Sequence, residues 1–269
     1  MDKLIITCAI VGAEVTREQT PYLPITPDEM AIEAEKAYEA GASMIHLHVR
    51  DKDGKSSQNK DIYQEVIKKI KERTNVIIQV STGGAVWMTV DERIQPVTLK
   101  PEMATLTTGT VNFGNEVFLN TPNDIRDFAI KMKEFGVRPE FEIFDTGMVY
   151  NALKLVNDGL VEGHLHFDFV MGVPGGITAT AKNLLHLIDL IPNDATWSVA
   201  GIGKQQLPIQ MFALPLGGHI RVGLEDNIYY KKGQLGKNEE FVTRVVRMAK
   251  ELDREIATPD EARKLLGIK

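Results

Sequence analysis

Ile45-His46-Leu47-His48-Val49-Arg50-Asp51 is the stretch from which the architecture of this chain can be read. Apolar residues alternate in it with two histidines. In a strand, successive side chains leave on opposite faces. Ile45, Leu47 and Val49 are therefore expected to point out against covering helices, and His46 and His48 to point inward together. Upstream, residues 27–40 read as a helix, with Thr26 as N-cap, Glu29 at the capping-box position and Gly41 as the stop. Downstream, residues 60–73 read as the next helix. A strand over 43–49 set between amphipathic helices is one beat of a βα rhythm.

The rhythm runs from end to end. Further strands are expected at 4–11, 76–82, 103–107, 138–144, 167–173, 196–200 and 219–223, and further helices at 122–135, 146–158, 181–191 and 204–214. A short helix is expected near Asp91, and two helices, 239–253 and 259–266, form the tail. Eight strands, each followed by a helix or long loop, argue for a closed (β/α)₈ TIM barrel, a single α/β domain spanning residues 1–269. An open doubly wound sheet would need a glycine-rich phosphate turn after the first strand, and Ile10-Val11-Gly12-Ala13-Glu14 is not one.

The 269 residues are 43% hydrophobic and 25% charged, enough to bury a core without disulfides or structural metals. The formal net charge is −6 and no basic patch is interleaved with aromatics, so nucleic acid is not an expected partner. The single cysteine, Cys8, permits no intrachain disulfide and suits a reducing cytoplasm. No signal peptide and no membrane-spanning segment is expected.

His46 and His48 would stand near the C-terminal end of strand two, the rim where barrels of this class carry their active sites. Two imidazoles spaced i, i+2 there can share one metal ion; two hydrogen-bonded core histidines are the alternative. A catalytic zinc takes three protein ligands and leaves one position open. Glu225, just past strand eight, is the candidate third ligand, because a closed barrel sets strand eight beside strand one; a solvated acidic turn is its alternative. Ser81 and Thr82 end strand three before Gly83-Gly84, Thr105 and Thr107 share a face of strand four, Glu140 and Glu142 share a face of strand five, and Glu14 follows strand one. Inward-facing glutamates are costly unless they meet a metal, an arginine or a cationic ligand, and Arg221 could neutralise one of them. The glycines of Gly172-Val173-Pro174-Gly175-Gly176 and Gly201-Ile202-Gly203 follow strands six and seven, where they would either admit a phosphate, with help from Lys204, or only make tight turns.

Taken together, Gly12-Ala13-Glu14, His46-Leu47-His48, Gln79-Val80-Ser81-Thr82-Gly83-Gly84, Lys100-Pro101-Glu102-Met103-Ala104-Thr105-Leu106, Gly172-Val173-Pro174-Gly175-Gly176, Ala200-Gly201-Ile202-Gly203 and Gly217-Gly218-His219-Ile220-Arg221-Val222-Gly223-Leu224-Glu225-Asp226-Asn227 resemble, in order and over almost the whole chain, the β-keto acid cleavage enzymes. The resemblance implies a zinc-bearing barrel, usually homotetrameric, with acetyl-CoA as co-substrate. It implies that His46, His48 and Glu225 bind zinc, and that Asp226 is the general base, held by Arg221. Ser81 and Thr105 would contact the keto-acid carboxylate or its enolate, with Thr82, Gly84 and Thr107 beside them. Glu14 and Glu142 would face a substrate amine. The implied reaction converts 5-amino-3-oxohexanoate and acetyl-CoA to 3-aminobutyryl-CoA and acetoacetate, a step of lysine fermentation.

Three other readings compete. An amidohydrolase-type hydrolase also uses a His-x-His pair, but on strand one and with more histidines on later strands; here His164 and His166 fall at the start of strand six. A zinc-dependent aldolase would share the enolate chemistry and release an aldehyde. A binding protein with a vestigial site would hold metal without turnover.

Overall fold

The computed structural model describes residues 1–268. Eight parallel strands close into a barrel: β1 (Ile6–Ala9), β2 (Met44–Leu47), β3 (Ile77–Val80), β4 (Met103–Thr107), β5 (Arg138–Ile143), β6 (His166–Met171), β7 (Thr196–Gly201) and β8 (His219–Val222). Each strand pairs with its neighbours in the chain, and β8 returns to β1 with Ile6, Thr7 and Cys8 opposite Ile220, Arg221 and Val222. Helices α1 (Pro27–Glu39), α2 (Lys60–Lys71), α3 (Val90–Arg93), α4 (Pro122–Phe135), α5 (Thr146–Asn157), α6 (Ala181–Leu190), α7 (Gln206–Ala213), α8 (Asn238–Lys250) and α9 (Pro259–Leu265) complete the chain.

Local sequence accounts for most boundaries. Thr26 caps α1 in a full capping box with Glu29, and Thr121 and Thr258 do the same for α4 and α9 with Pro at the first helical turn. Gly136 ends α4 in the left-handed conformation, φ 70°. The region expected as one helix over 204–214 is divided: a 3₁₀ turn, Gly203–Gln205, precedes α7, and a second, Leu214–Leu216, follows it.

The strands are apolar outward and polar inward. Ile45, Leu47, Ile78, Val80, Phe141, Phe167, Phe169, Val199 and Ile220 are fully buried in the main apolar cluster with the helices. A second, smaller cluster of Ile5, Met44, Ile77 and Met103 packs with Ala257, Ala262 and Leu266, the last two from α9 and its C-cap. Between this layer and the C-terminal rim lie Gln79, Thr105, Glu140, His166, Asp168, Ser198, His219 and Arg221, all buried. Barrel interiors are usually filled with branched apolar side chains; this one is filled with hydrogen-bonding groups, each needing a partner.

Two departures bear on the site. β2 ends at Leu47, and Val49–Arg50 instead pairs antiparallel with Ser56–Ser57. Val49 is buried as expected but is not part of the barrel, because the chain turns off the sheet at His48. Two hairpins also escape a βα reading. In Val111–Phe113 and Glu116–Phe118 the pairing is closed by Gly114-Asn115, with Gly114 at φ 65°; the other joins Tyr229–Lys231 to Gln234–Leu235.

Closure of the barrel depends on Gly223. Its φ is 138°, and a Cβ there would lie 2.1 Å from the Ala9 carbonyl oxygen. Gly223→Ala is therefore expected to lower stability by about 1–3 kcal/mol or more, read by denaturant unfolding. A loss under about 0.5 kcal/mol, the range of an ordinary surface change, would show that the β8–β1 junction is not tight.

Candidate active site

The C-terminal rim carries a cavity of about 230 Å³ lined by Glu14, His48, Ser81, Gly84, Glu142, Arg221, Glu225 and Asp226 on its polar side and by Val86, Phe113, Phe118, Phe144, Val170, Val173 and Ile202 on its apolar side. A larger cavity of about 380 Å³, lined by Lys100, Lys133 and Arg138 among others, contains none of the polar rim groups. Chemistry, not size, therefore singles out the smaller one.

His46, His48 and Glu225 converge there, with ligand-capable atoms within 4.8 Å of one another. Glu225 Oε2 is 3.4 Å from His46 Nε2, and Glu225 Oε1 is 3.6 Å from His48 Nε2. His46 Nε2 and Glu225 Oε2 are buried without a hydrogen-bond partner. On its other edge His46 Nδ1 meets Gln79 Oε1 at 2.7 Å. Burial, aided by Arg221 and His48, drives the His46 pKa down to about 4 despite Glu225; the ring is neutral and Nε2 can offer its lone pair. Glu225 is driven the other way: burial alone would raise its pKa, but Arg221 and the two histidines hold it well below the usual carboxylate range. Two buried imidazoles and an ionised carboxylate, each with a buried atom that makes no hydrogen bond, are a donor set suited to zinc.

Arg221 stands at the centre. Its Nε and Nη2 donate to both Asp226 oxygens at 3.1 and 2.9 Å, and Nη2 also donates to Glu225 Oε1 at 2.5 Å. Its Nη1 lies 3.3 Å from Glu142 and 3.5 Å from Asp168. These carboxylates outweigh its burial and raise its pKa, so the guanidinium stays charged. Burial pushes Asp226 up to about 6, with Glu225 adding to the rise and Arg221 opposing it. Burial likewise raises Glu142 and, with Glu140 nearby, pushes Asp168 well up. A carboxylate poised near neutrality and locked by a bidentate fork has the properties of a general base.

Glycines and one arginine set these groups in place. A Cβ on Gly12 would sit 2.5 Å from Glu225 Cγ, so only glycine leaves room for that side chain. Arg50, buried, donates to the carbonyls of Gly12, Gly54 and Val15 and orders the loop that carries Glu14. Gly203 N–H donates to the Asp226 carbonyl at 2.7 Å, fixing Asp226 from the β7 side.

The remaining expected residues divide. Ser81 lines the cavity, its Oγ accepting from Gly83 N–H at 3.0 Å. Gly84 lines it too, with φ +59°. Thr82 and Thr105 bind each other instead: Thr82 N–H donates to Thr105 Oγ1 and Thr82 Oγ1 to the Thr105 carbonyl. Thr107 Oγ1 donates to Glu142 at 2.7 Å. Glu14 reaches the cavity mouth but is exposed, whereas Glu142 is buried and already bound by Thr107 and Arg221. Gly175 owes its identity to packing: a Cβ would lie 2.3 Å from the Asn112 carbonyl, and Gly114 N–H donates to the Pro174 carbonyl. That loop seats the hairpin bearing Phe113 and Phe118, which with Phe144 form a mutually edge-on aromatic wall with centroids 6.2–6.3 Å apart. The βα rhythm of the sequence does not foretell this wall, although Gly114-Asn115 between alternating apolar residues is a hairpin signal.

A family profile described as beta-keto acid cleavage enzyme matches residues 3–268. This chain belongs to that family. It is 53% identical, over 100% of its length and 99% of the relative's, to a 3-keto-5-aminohexanoate cleavage enzyme of Fusobacterium nucleatum. It is 52% identical, with the same coverage, to one of Acetoanaerobium sticklandii. The solved structure of ObcA in a ternary complex with a C4-CoA adduct and oxalate aligns with a TM-score of 0.78 over 92% of this chain and 68% of that one; at 22% identity that likeness speaks for the barrel alone.

Replacing Arg221 by Met would leave its carboxylates buried without a cation. We expect the variant to lose about 3–5 kcal/mol of stability, the usual result of breaking a buried pair from one side, measured by denaturant unfolding. A loss below about 1 kcal/mol would mean that the cluster does not depend on this charge.

Proposed function

We propose that the chain catalyses the acetyl-CoA-dependent cleavage of a β-keto acid, with 5-amino-3-oxohexanoate as the substrate and 3-aminobutyryl-CoA and acetoacetate as the products. The observation that carries this is the Arg221-held Asp226 beside the His46, His48 and Glu225 donor set on one cavity. The full-length likeness to the two cleavage enzymes supports the choice of substrate. Zinc is the metal proposed for His46, His48 and Glu225; when bound it supplies a Lewis acid that acidifies the carbon between a keto and a carboxylate group.

The chain's residues then divide the work. Asp226 takes a proton from that carbon, and Arg221 keeps the carboxylate aimed and ionised. The carbanion attacks the acetyl carbonyl of acetyl-CoA, and the CoA thiolate leaves. The thiolate adds to the original keto carbon, the bond to the former α-carbon breaks, and the amino-acyl group departs as its CoA ester. Asp226 returns the proton to the released acetoacetate. Ser81 is the hydroxyl in reach of the keto-acid carboxylate; Thr105, turned toward Thr82, serves through that contact. The Phe113, Phe118 and Phe144 wall excludes water along the acyl chain.

For the amine, Glu142 and Glu14 remain the acidic pair on the cavity, but their roles are unequal. Glu142 is neutralised in part by Arg221, and Glu14 faces water, where an ion pair is screened. The discrimination is thus smaller than two buried carboxylates would give. An amidohydrolase-type reaction loses support, since His164 and His166 lie at the opposite end of β6 from the rim. An aldolase would yield an aldehyde in place of acetoacetate. No described helix is long and apolar enough to cross a membrane; a cytoplasmic homotetramer acting in lysine fermentation completes the proposal. Exposed Met211, Phe212 and Leu216 on and beside α7 supply an apolar face for assembly.

Purified protein given acetyl-CoA and a panel of β-keto acids is expected to form acetoacetate, fastest from the 5-amino acid. Asp226→Asn should retain metal and slow turnover by about 10²–10⁴-fold. Acetoacetate absent from every pairing would overturn the proposal, and an Asp226→Asn rate within a few-fold of the parent would move the base elsewhere. Glu14→Gln should lower kcat/KM for the aminated acid roughly two- to five-fold, the value of an exposed pair, and leave the deaminated acid unchanged. Equal kcat/KM for the two acids in the parent would remove the amine reading while leaving the cleavage reaction.

A further inference from the structure

His46 is useful to a metal only in one tautomer. With Nε2 aimed at Glu225 and ligating, Nδ1 must carry the proton and needs an acceptor. The acceptor is Gln79 Oε1, 2.7 Å away and fully buried on β3. A glutamine is an ambiguous partner, however. Rotated by half a turn, its amide would present an NH₂ donor to Nδ1, select the other tautomer and put a proton on Nε2. Something must hold the amide with its oxygen toward His46.

Glu140 occupies the position to do so. It lies in the middle of the barrel, 1% exposed, outside the rim cavity and outside the chemistry described above. Its Oε2 is 3.2 Å from His166 Nε2, and His166 Nδ1 is in turn 2.8 Å from Thr196 Oγ1. Gln79 Nε2 and Glu140 Oε1 are both buried, and neither makes a hydrogen bond, to the other or to any further group. With Oε1 turned toward His46, the Gln79 amide leaves its Nε2 edge to the rest of the lumen, and the Gln79 side chain is among the groups that lower the Glu140 pKa. Burial would raise that pKa; His166 first, then Gln79 and Arg221, outweigh it, so Glu140 is a carboxylate. A carboxylate accepts and does not donate. It tolerates the NH₂ edge of the amide and repels the oxygen edge.

We propose that Glu140 is a positioning residue which, by orienting the Gln79 amide, fixes His46 with Nδ1 protonated and Nε2 open toward Glu225 and His48. The proposal rests on His46 being a metal ligand for its functional meaning, but the tautomer itself is a property of the protein alone. The polar lumen thereby gains a purpose, since β5 and β6 act through β3 on a histidine of β2.

The test uses the full chain with ¹⁵N-labelled histidine. Long-range ¹H–¹⁵N spectra report the tautomer of His46, assigned by His46→Ala, and chelator competition reports zinc affinity. The parent should show the Nδ1–H form of His46 before zinc is added. Glu140→Gln should mix the tautomers and weaken zinc binding by about 10–100-fold, the usual cost of losing an outer partner of a ligand. Gln79→Glu alone sets two carboxylates face to face and should also weaken binding. The swap that combines Gln79→Glu with Glu140→Gln restores one acceptor for Nδ1–H and one donor behind it, and should recover both the tautomer and most of the affinity. A structural role only would lower thermal stability in each variant without rescue by the swap. Single variants with the parent's tautomer and affinity, or a swap no better than either single change, would overturn the proposal. A parent that binds no zinc, or binds it equally after His46→Ala, would sink the metal assignment; the tautomers would then still decide the role of Glu140.

Discussion

Among the described residues, the guanidinium of Arg221 is the cation shared by Asp226, Glu225, Glu142 and Asp168, and the arrangement of the rim depends on it. Buried acid groups at such density are tolerable only if a fixed positive charge is shared among them. Arginine suits this position because its planar fork donates in several directions and cannot lose its proton. The sharing also differentiates the acids. Asp226 receives two of the donors yet is pushed up to about 6 by burial and by Glu225. Glu225 is kept ionised by Arg221 and the histidines, and Asp168 is pushed well up and accepts from Ser198 at 2.6 Å. Carboxylic acids thus take on different character around a single guanidinium: Glu225 held ionised, Asp226 and Asp168 pushed upward.

The arrangement explains why the lumen departs from the apolar filling usual for such barrels. Groups at the rim are held by groups beneath and beside them, and polar side chains are held by hydrogen-bonding partners. Gln79 beneath His46, Thr107 beside Glu142 and Ser198 beside Asp168 are the visible supports. Stability comes from elsewhere: the apolar outer faces of the strands against the helices, and the small cluster of Ile5, Met44, Ile77 and Met103 below. The division lets the interior be tuned for chemistry while the shell holds the fold.

Periodicity and caps are enough to read most of the scaffold. Thr26 with Glu29 marks the start of α1, and the alternation of Ile45, His46, Leu47 and His48 sends both imidazoles inward. The hairpin Val111–Phe113 to Glu116–Phe118 escapes that reading because a βα rhythm predicts loops where it lies. Alternation places Val49 in the barrel because it carries no mark of where a strand leaves its sheet; that is decided by the partner, here Ser57 rather than a neighbouring barrel strand. Gly175 reads equally as a phosphate loop or a packing glycine until Asn112 is seen against it.

What the sequence determined by itself is what short-range physics controls: helix starts and stops, which strand face is polar, and hence which residues could meet at one rim. Family likeness added expected roles for Asp226 and Arg221 to that set. What only the tertiary structure decided is the environment of each group, because desolvation and charge sharing depend on residues far apart in the chain. Glu14 and Glu142 look alike in the sequence, yet one stands in water and the other lies buried against Arg221 and Thr107. Gln79 and Glu140, sixty-one positions apart by their numbers, come to share one lumen only when β3 and β5 curve into the same barrel.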